Sequence, residues 1–228
     1  MTQAIKKTTL VVWLCLLWAN VTIAQNLPKG QVIKQQIIQF LGGKKALKKV
    51  RKLSYTLEMG VPGQARLSEE VWIHFKRKRL KKTFTRQGKK VTQYYKKGKA
   101  WEGRGKHKRL LSEDETDKLS NVFFYNFLGM LTNPKVQWQW RKETTYQNQK
   151  VAIVKASDAT HRLDLFVAAS GKILTTGMPN PKNGEYEVLA DELEYVNIGK
   201  GVKFPLVFKV YSNGVLVYKG RFKHIKVF

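Results

Sequence analysis

The sequence predicts a mainly β, α+β domain built on one antiparallel sheet. Three observations carry that reading. Apolar and polar residues alternate with a period of two over many short segments, the pattern of a sheet with one buried face. A single long, very apolar helical pattern interrupts them. The chain then closes on Asn213-Gly214 between two apolar runs, the strongest short-range hairpin signal, because a type I′ turn needs two positive φ angles.

In chain order, Ile33, Ile37, Phe40 and Leu41 fall on one helical face, which predicts an amphipathic helix over 29–41. Gly42-Gly43 stops it, and a short helical turn follows through Ala46, Leu47 and Val50. Leu53, Tyr55, Leu57 and Met59 then alternate with Ser54, Thr56 and Glu58, and Pro62-Gly63 makes a turn. Val71, Ile73 and Phe75 alternate with Glu70, His74 and Lys76, while Trp72 stands on the polar side. Further strands are expected near 80–86, 91–97 and 99–103, with turns at Gln87-Gly88 and Lys97-Gly98. Ser112 and Glu115 have capping-box spacing and open one helix running to Leu131, which Asn133-Pro134 ends. Its stripe of Leu119, Val122, Phe123, Phe127, Met130 and Leu131 is wide enough that the sheet or a ligand must cover it. Strands resume with Val136, Trp138 and Trp140, then 151–155, then Leu163, Leu165 and Val167, then 172–176. A loop spans Met178 to Gly184. Strands 204–211 and 215–219 complete the chain, and a two-residue loop between them sets Val210 opposite Val217 and Phe208 opposite Lys219.

The first 24 residues read as a cleaved secretory signal peptide. Lys6 and Lys7 precede the apolar run Leu10–Trp18, and Thr22-Ile23-Ala24 presents small residues at −3 and −1 of a cleavage site before Gln25. The apolar run is short of the ~20 residues a membrane-spanning helix needs. The residues before Cys15 lack the small side chains of a lipidation site. The expected mature chain, 25–228, is one domain in an extracytoplasmic, periplasmic setting. It has no cysteine, which excludes a disulfide, a thiol nucleophile and a Cys-bound metal. The full chain carries a formal charge of +27; losing Lys6 and Lys7 with the leader leaves 41 basic against 16 acidic residues, or +25. Such a charge attracts anionic partners, among them phospholipid headgroups and acidic polymers.

No residue pattern points to catalysis, and no cofactor is expected. His74, His107, His161 and His224 are scattered singly, without a fixed carboxylate neighbour or metal-ligand spacing. Glu113, Asp114, Glu115 and Asp117 cluster where carboxylates favour the positive end of a helix dipole. Glu69 and Glu70 point to opposite faces of a strand, and no serine sits in a nucleophile elbow. Between Lys76 and Arg109 stand 16 Lys or Arg residues and one acid, Glu102, with Tyr94, Tyr95 and Trp101 among them. Basic residues interleaved with aromatics can hold single-stranded nucleic acid. Here the alternation turns the apolar residues inward, so a solvated cationic face is expected, not a specific nucleic-acid site. Lys76, Arg77, Lys78, Arg79, Lys81 and Lys82 are its candidate anion-binding residues.

In order, three stretches resemble the LolA/LolB-like periplasmic lipoprotein-carrier family. They are Phe40-Leu41-Gly42-Gly43-Lys44-Lys45-Ala46-Leu47 with Val50-Arg51-Lys52-Leu53, then Tyr95-Lys96-Lys97-Gly98-Lys99-Ala100-Trp101, and Gly201-Val202-Lys203-Phe204-Pro205 with Ser212-Asn213-Gly214. The resemblance implies an unclosed antiparallel half-barrel whose helices cover the concave face. It implies a non-enzymatic role in which the apolar concavity holds a lipid or a lipoprotein acyl chain, as in outer-membrane lipoprotein sorting. The apolar parity of the strands and the long helix make Val71, Ile73, Phe75, Phe123, Phe127, Trp138, Trp140, Leu163 and Leu165 the candidate lining of such a site. The alternative is a secreted basic module that binds an anionic polymer or membrane surface through the cationic face.

Overall fold

The computed structural model describes residues 27–104, 107–180 and 185–228. The expected signal peptide, 1–24, and the last four residues of the expected 178–184 loop lie outside them. Two helices lead: α1 (Lys29–Phe40) and α2 (Gly43–Lys49). Six strands follow: β1 (Lys52–Gly60), β2 (Leu67–His74), β3 (Arg79–Arg86), β4 (Lys89–Lys96), β5 (Lys99–Arg104) and β6 (His107–Leu110). Three short helices, α3 (Glu113–Ser120), α4 (Val122–Tyr125) and α5 (Phe127–Thr132), lead into β7 (Gln137–Tyr146), β8 (Gln149–Ser157), β9 (Arg162–Ala168) and β10 (Ile173–Pro179). The chain ends with β11 (Tyr186–Asn197), β12 (Lys203–Ser212) and β13 (Val215–Val227).

Among the described residues, 13 strands form one antiparallel sheet in the order β6-β5-β4-β3-β2-β1-β13-β12-β11-β10-β9-β8-β7. The first and last strands pair in its middle, and β6 and β7 are its two free edges, so the sheet is open. It is the expected half-barrel with helices on the concave side. Leu53, Ile73, Val154 and Leu165 of the sheet are sealed against Ile37 of α1, Leu41 just after it and Met130 of α5 in one continuous core.

Among the described residues, four hairpins turn on two residues with positive φ: Gln87-Gly88 (50° and 73°), Lys97-Gly98 (51° and 80°), Gln147-Asn148 (46° and 60°) and Asn213-Gly214 (48° and 77°). That is the I′ geometry whose twist suits a strand pair. The last hairpin corrects the expected register. The loop does have two residues, Ser212 facing Val215, but a bulge follows. Val210 therefore faces Tyr218 instead of Val217, and Phe208 faces Gly220 instead of Lys219. Gly220 accepts this because a Cβ there would lie 2.2 Å from Phe208 Cζ.

A second correction concerns the single helix expected from Ser112 to Leu131, which is three segments. The capping box forms: the Ser112 hydroxyl accepts from Glu115 N–H, and the Glu115 carboxylate accepts from Ser112 N–H at 3.0 Å. The chain then breaks at Asn126, whose backbone is extended (φ −80°, ψ 121°) and whose side-chain oxygen accepts from Leu128 N–H at 3.1 Å. Asparagine's short amide offers the backbone an alternative to the helical ladder, which is why it starts helices more often than it continues them. Gly129 lets the chain fold back there, since a Cβ would stand 2.3 Å from the Phe123 carbonyl oxygen. Strands β6 and β11 are additions to the expected set.

Candidate ligand-binding groove

The concave face is covered unequally. Helix α1 lies directly on β7. A Cβ on Gly30 would meet the Trp138 carbonyl oxygen at 2.3 Å, so only glycine allows this contact. Farther along, Phe40 packs edge-on against Tyr195 of β11 at 5.1 Å, and the Leu41 carbonyl accepts from Lys203 N–H at 3.0 Å. Helix α1 therefore spans the sheet from β7 to β12 and seals that end.

Beyond it a groove of about 380 Å³ stays open, within the ~300–1,000 Å³ of small-molecule sites. Its floor is aromatic. Tyr55 of β1, Phe204 and Phe208 of β12, and Tyr218 and Phe222 of β13 form a chain of rings with neighbouring centroids 5.0–6.5 Å apart. Leu163 of β9, Met178 of β10 and Val188 and Leu193 of β11 make one wall. The roof is the broken helical segment, which presents Val122, Tyr125, Asn126 and Phe127. Burial pushes the phenols of Tyr55, Tyr125 and Tyr218 above their ordinary pKa, so the hydroxyls around the groove stay neutral near pH 7. Among the described residues, nothing that lines the groove carries a charge.

The roof is tied down on two sides. Toward the first half of the sheet, Arg109 of β6 grips Glu115 of α3 with both guanidinium nitrogens, at 2.9 and 3.2 Å, and Phe123 packs on Tyr95 of β4 at 5.5 Å. The Arg109 guanidinium and the Ser112 N–H hold the Glu115 carboxyl down to about 2. Toward the other half, the β8–β9 turn supplies His161. Its ring stacks on Phe124 at 4.9 Å, its Nε2 lies 2.7 Å from the Asn121 side-chain oxygen, and its Nδ1 lies 2.9 Å from the Asp158 carboxylate. His161 thus has the fixed carboxylate neighbour that the sequence reading did not give it. It holds the roof. Among the described residues no cluster of three or more His, Cys, Asp or Glu could hold a metal ion.

Of the expected lining residues, Phe127 and Leu163 face the groove. Val71, Ile73, Leu165 and Trp138 are buried in the core behind or beside it. Trp138 and Trp140 lie under α1, not under the 112–131 segment: Lys34 Nζ sits 5.4 Å above the Trp138 ring and Lys29 Nζ 4.5 Å above that of Trp140. Phe75 and Phe123 line a second depression of about 530 Å³, between α2 and the β2–β3 turn. The aromatic floor is what the sequence reading missed. Phe204 and Phe208 share a parity that was legible. The bulge that brings Tyr218 and Phe222 onto the same face was not.

The candidate cations are also divided. Lys76, Arg77 and Lys78 occupy the β2–β3 turn. Arg79 and Lys81 face outward with Trp72, whereas Lys82 faces inward and pairs with Glu69 at 2.6 Å. Glu69 and Glu70 do point to opposite faces, Glu70 lying 3.7 Å from Lys90.

No protein-family model matches the sequence, and no curated protein matches it. Solved structures do share its fold. A LolA superfamily protein from Nitrosomonas europaea is 10% identical, with a TM-score of 0.57 over 87% of this chain and 93% of that one. An outer membrane lipoprotein-sorting protein domain from Vibrio parahaemolyticus is 11% identical, with a TM-score of 0.56 over 87% and 92%. A DUF1329 family protein from Desulfovibrio piger is 9% identical, with a TM-score of 0.56 over 88% and 94%. At these identities the likeness is one of fold.

Proposed function

We propose that this chain is a periplasmic, non-enzymatic carrier that holds a lipid or lipoprotein acyl chain in the groove between the broken helical roof and β12, β13 and β1. The single observation that carries the reading is an uncharged groove of about 380 Å³ with an aromatic floor, left open beside a tightly sealed core. A soluble domain without a ligand gains by burying such rings; each CH₂ of a guest buried there is worth ~0.8 kcal/mol. The fold shared with a lipoprotein-sorting domain and the leader-like first 24 residues support the same reading. The roof suits a carrier: it is broken at Asn126, so Val122 and Tyr125 before the break line the groove while Leu128, Met130 and Leu131 beyond it are anchored in the core.

The test is titration of a fluorescent fatty-acyl probe into protein stripped of lipid. Saturable binding near one probe per chain is expected, with native mass spectrometry of the unstripped protein showing co-purified lipid. Phe208→Glu places a charge at a groove ring that is only partly buried and should weaken binding far more than it lowers the melting temperature. Non-saturable binding, or full affinity in Phe208→Glu, would count against the proposal.

A further inference from the structure

The outer face of β3–β6, opposite the groove, has a second organised surface. Cross-strand register aligns Trp72, Lys81, Tyr94, Trp101 and Leu110 in one row over β2–β6. The next row is Arg79, Lys96 and Lys99, and Lys97 sits in the turn between the last two. Lys108 of edge strand β6 adds a further cation, its Nζ 5.7 Å above the Trp101 ring. None of Arg79, Lys81, Lys96, Lys97, Lys99 and Lys108 forms an ion pair among the described residues. The apolar members are open to solvent: Leu110 is 68% exposed at the sheet's edge, and Tyr94 and Trp101, stacked at 5.7 Å, are half-buried.

We propose that this face docks the protein on an anionic bilayer. Leu110 and the Trp101–Tyr94 pair enter the boundary between headgroups and acyl chains, and Lys96, Lys97, Lys99 and Lys108 bind the lipid phosphates. The charge calls for an anionic partner, and the apolar row decides which. An exposed leucine gains nothing from a soluble polyanion, whereas the membrane interface takes an aliphatic side chain beside Trp and Tyr and lysines at phosphate level. Trp101 is also a poor platform for a nucleotide base: Tyr94 of β4 and Lys108 of β6 approach its ring from the two flanking strands. The surface shares no residue with the groove, so it stands or falls apart from the carrier reading.

The experiment is sedimentation of the protein with vesicles of phosphatidylcholine alone and of equimolar phosphatidylcholine and phosphatidylglycerol. Three variants are compared with the parent chain. One replaces Lys96, Lys97, Lys99 and Lys108 with Gln. A second, charge-matched variant replaces Lys44, Lys45, Lys48 and Lys49, all exposed around α2, with Gln. The third is Leu110→Ser, which touches only an exposed edge residue and keeps the test sound if the quadruple variants fold poorly. Binding is expected only to the anionic vesicles. The patch variant should lose on the order of a thousandfold in affinity, the α2 variant less than tenfold, and Leu110→Ser about fivefold. Equal losses in the two quadruple variants would show a diffuse charge effect and overturn the proposal. So would an unchanged Leu110→Ser, or tighter binding to heparin or an oligonucleotide than to the vesicles.

Discussion

Two stretches of the same concave face differ in what covers them. Over β7–β9, α1 lies flush on the strands. Val154 and Leu165 have no exposure there, and Gly30 touches the backbone of β7. Over β12, β13 and β1, rings of similar apolar character face a groove under a roof that touches only part of it. Both stretches alternate apolar and polar residues, so hydrophobicity does not separate core from site. The separation comes from the coverage each helix gives. Helix α1 carries a glycine where it must approach a strand, while the 112–131 segment is broken by Asn126 and covers the groove with the residues around that break.

Perturbing the sealed side should cost the most stability and no binding. Leu165→Ala is expected to lower stability by about 2–5 kcal/mol, because a large fully buried side chain is removed. The affinity of the folded protein for an acyl probe should not change. Chemical denaturation checks the first part and probe titration the second. Gly30→Ala forces α1 away from Trp138 and should cost about 1–3 kcal/mol, read as a lower melting temperature. An intact melting temperature would show that α1 is not tightly seated.

On the open side the balance should reverse. Phe208→Ala is expected to reduce probe affinity about tenfold while costing only about 1–2 kcal/mol of stability, since the ring is already partly exposed to the groove. If Phe208→Ala proves as destabilising as Leu165→Ala, the two stretches are not different in kind.

The smallest expected effect is at the anchor of the roof. Arg109 first, then Ser112 N–H, lowers the Glu115 pKa from 4.5 to about 2 in the folded chain. A carboxylate with a depressed folded pKa stabilises the fold fully above its unfolded value and stops doing so as pH falls through the folded one. Acidification from pH 4.5 toward 2 should therefore loosen α3 locally, seen as faster amide hydrogen exchange at Glu115 and Thr116 relative to β8. Glu115→Gln should already show that behaviour at neutral pH.

Much of the fold was legible in local chemistry. Glycine placed three of the four two-residue turns among the described residues, the capping box placed the start of α3, and parity placed Ile73 and Leu165 inside. What escaped was set by irregularities. Strand β11 carries Glu187, Asp191, Glu192 and Glu194, and its pairing shifts register twice between Asp191 and Tyr195, so no clean alternation marks it. The bulge after the Asn213-Gly214 turn moves Tyr218 and Phe222 onto the groove face, and no turn residue announces it. Helical stripe and strand parity together pointed to Phe127 and Leu163, which line the groove. Trp138 and Trp140 were indistinguishable from groove residues because parity tells which face a residue is on and not what lies over it.

A photoactivatable fatty acid tests the central claim most directly. Cross-linked at one equivalent to lipid-stripped protein and mapped by peptide mass spectrometry, it should label residues within 122–127 and 204–222, on the roof and the aromatic floor. Labelling concentrated on β7 around Trp138 and Trp140, or no saturable labelling, would contradict the assignment of the open groove as the acyl-chain site.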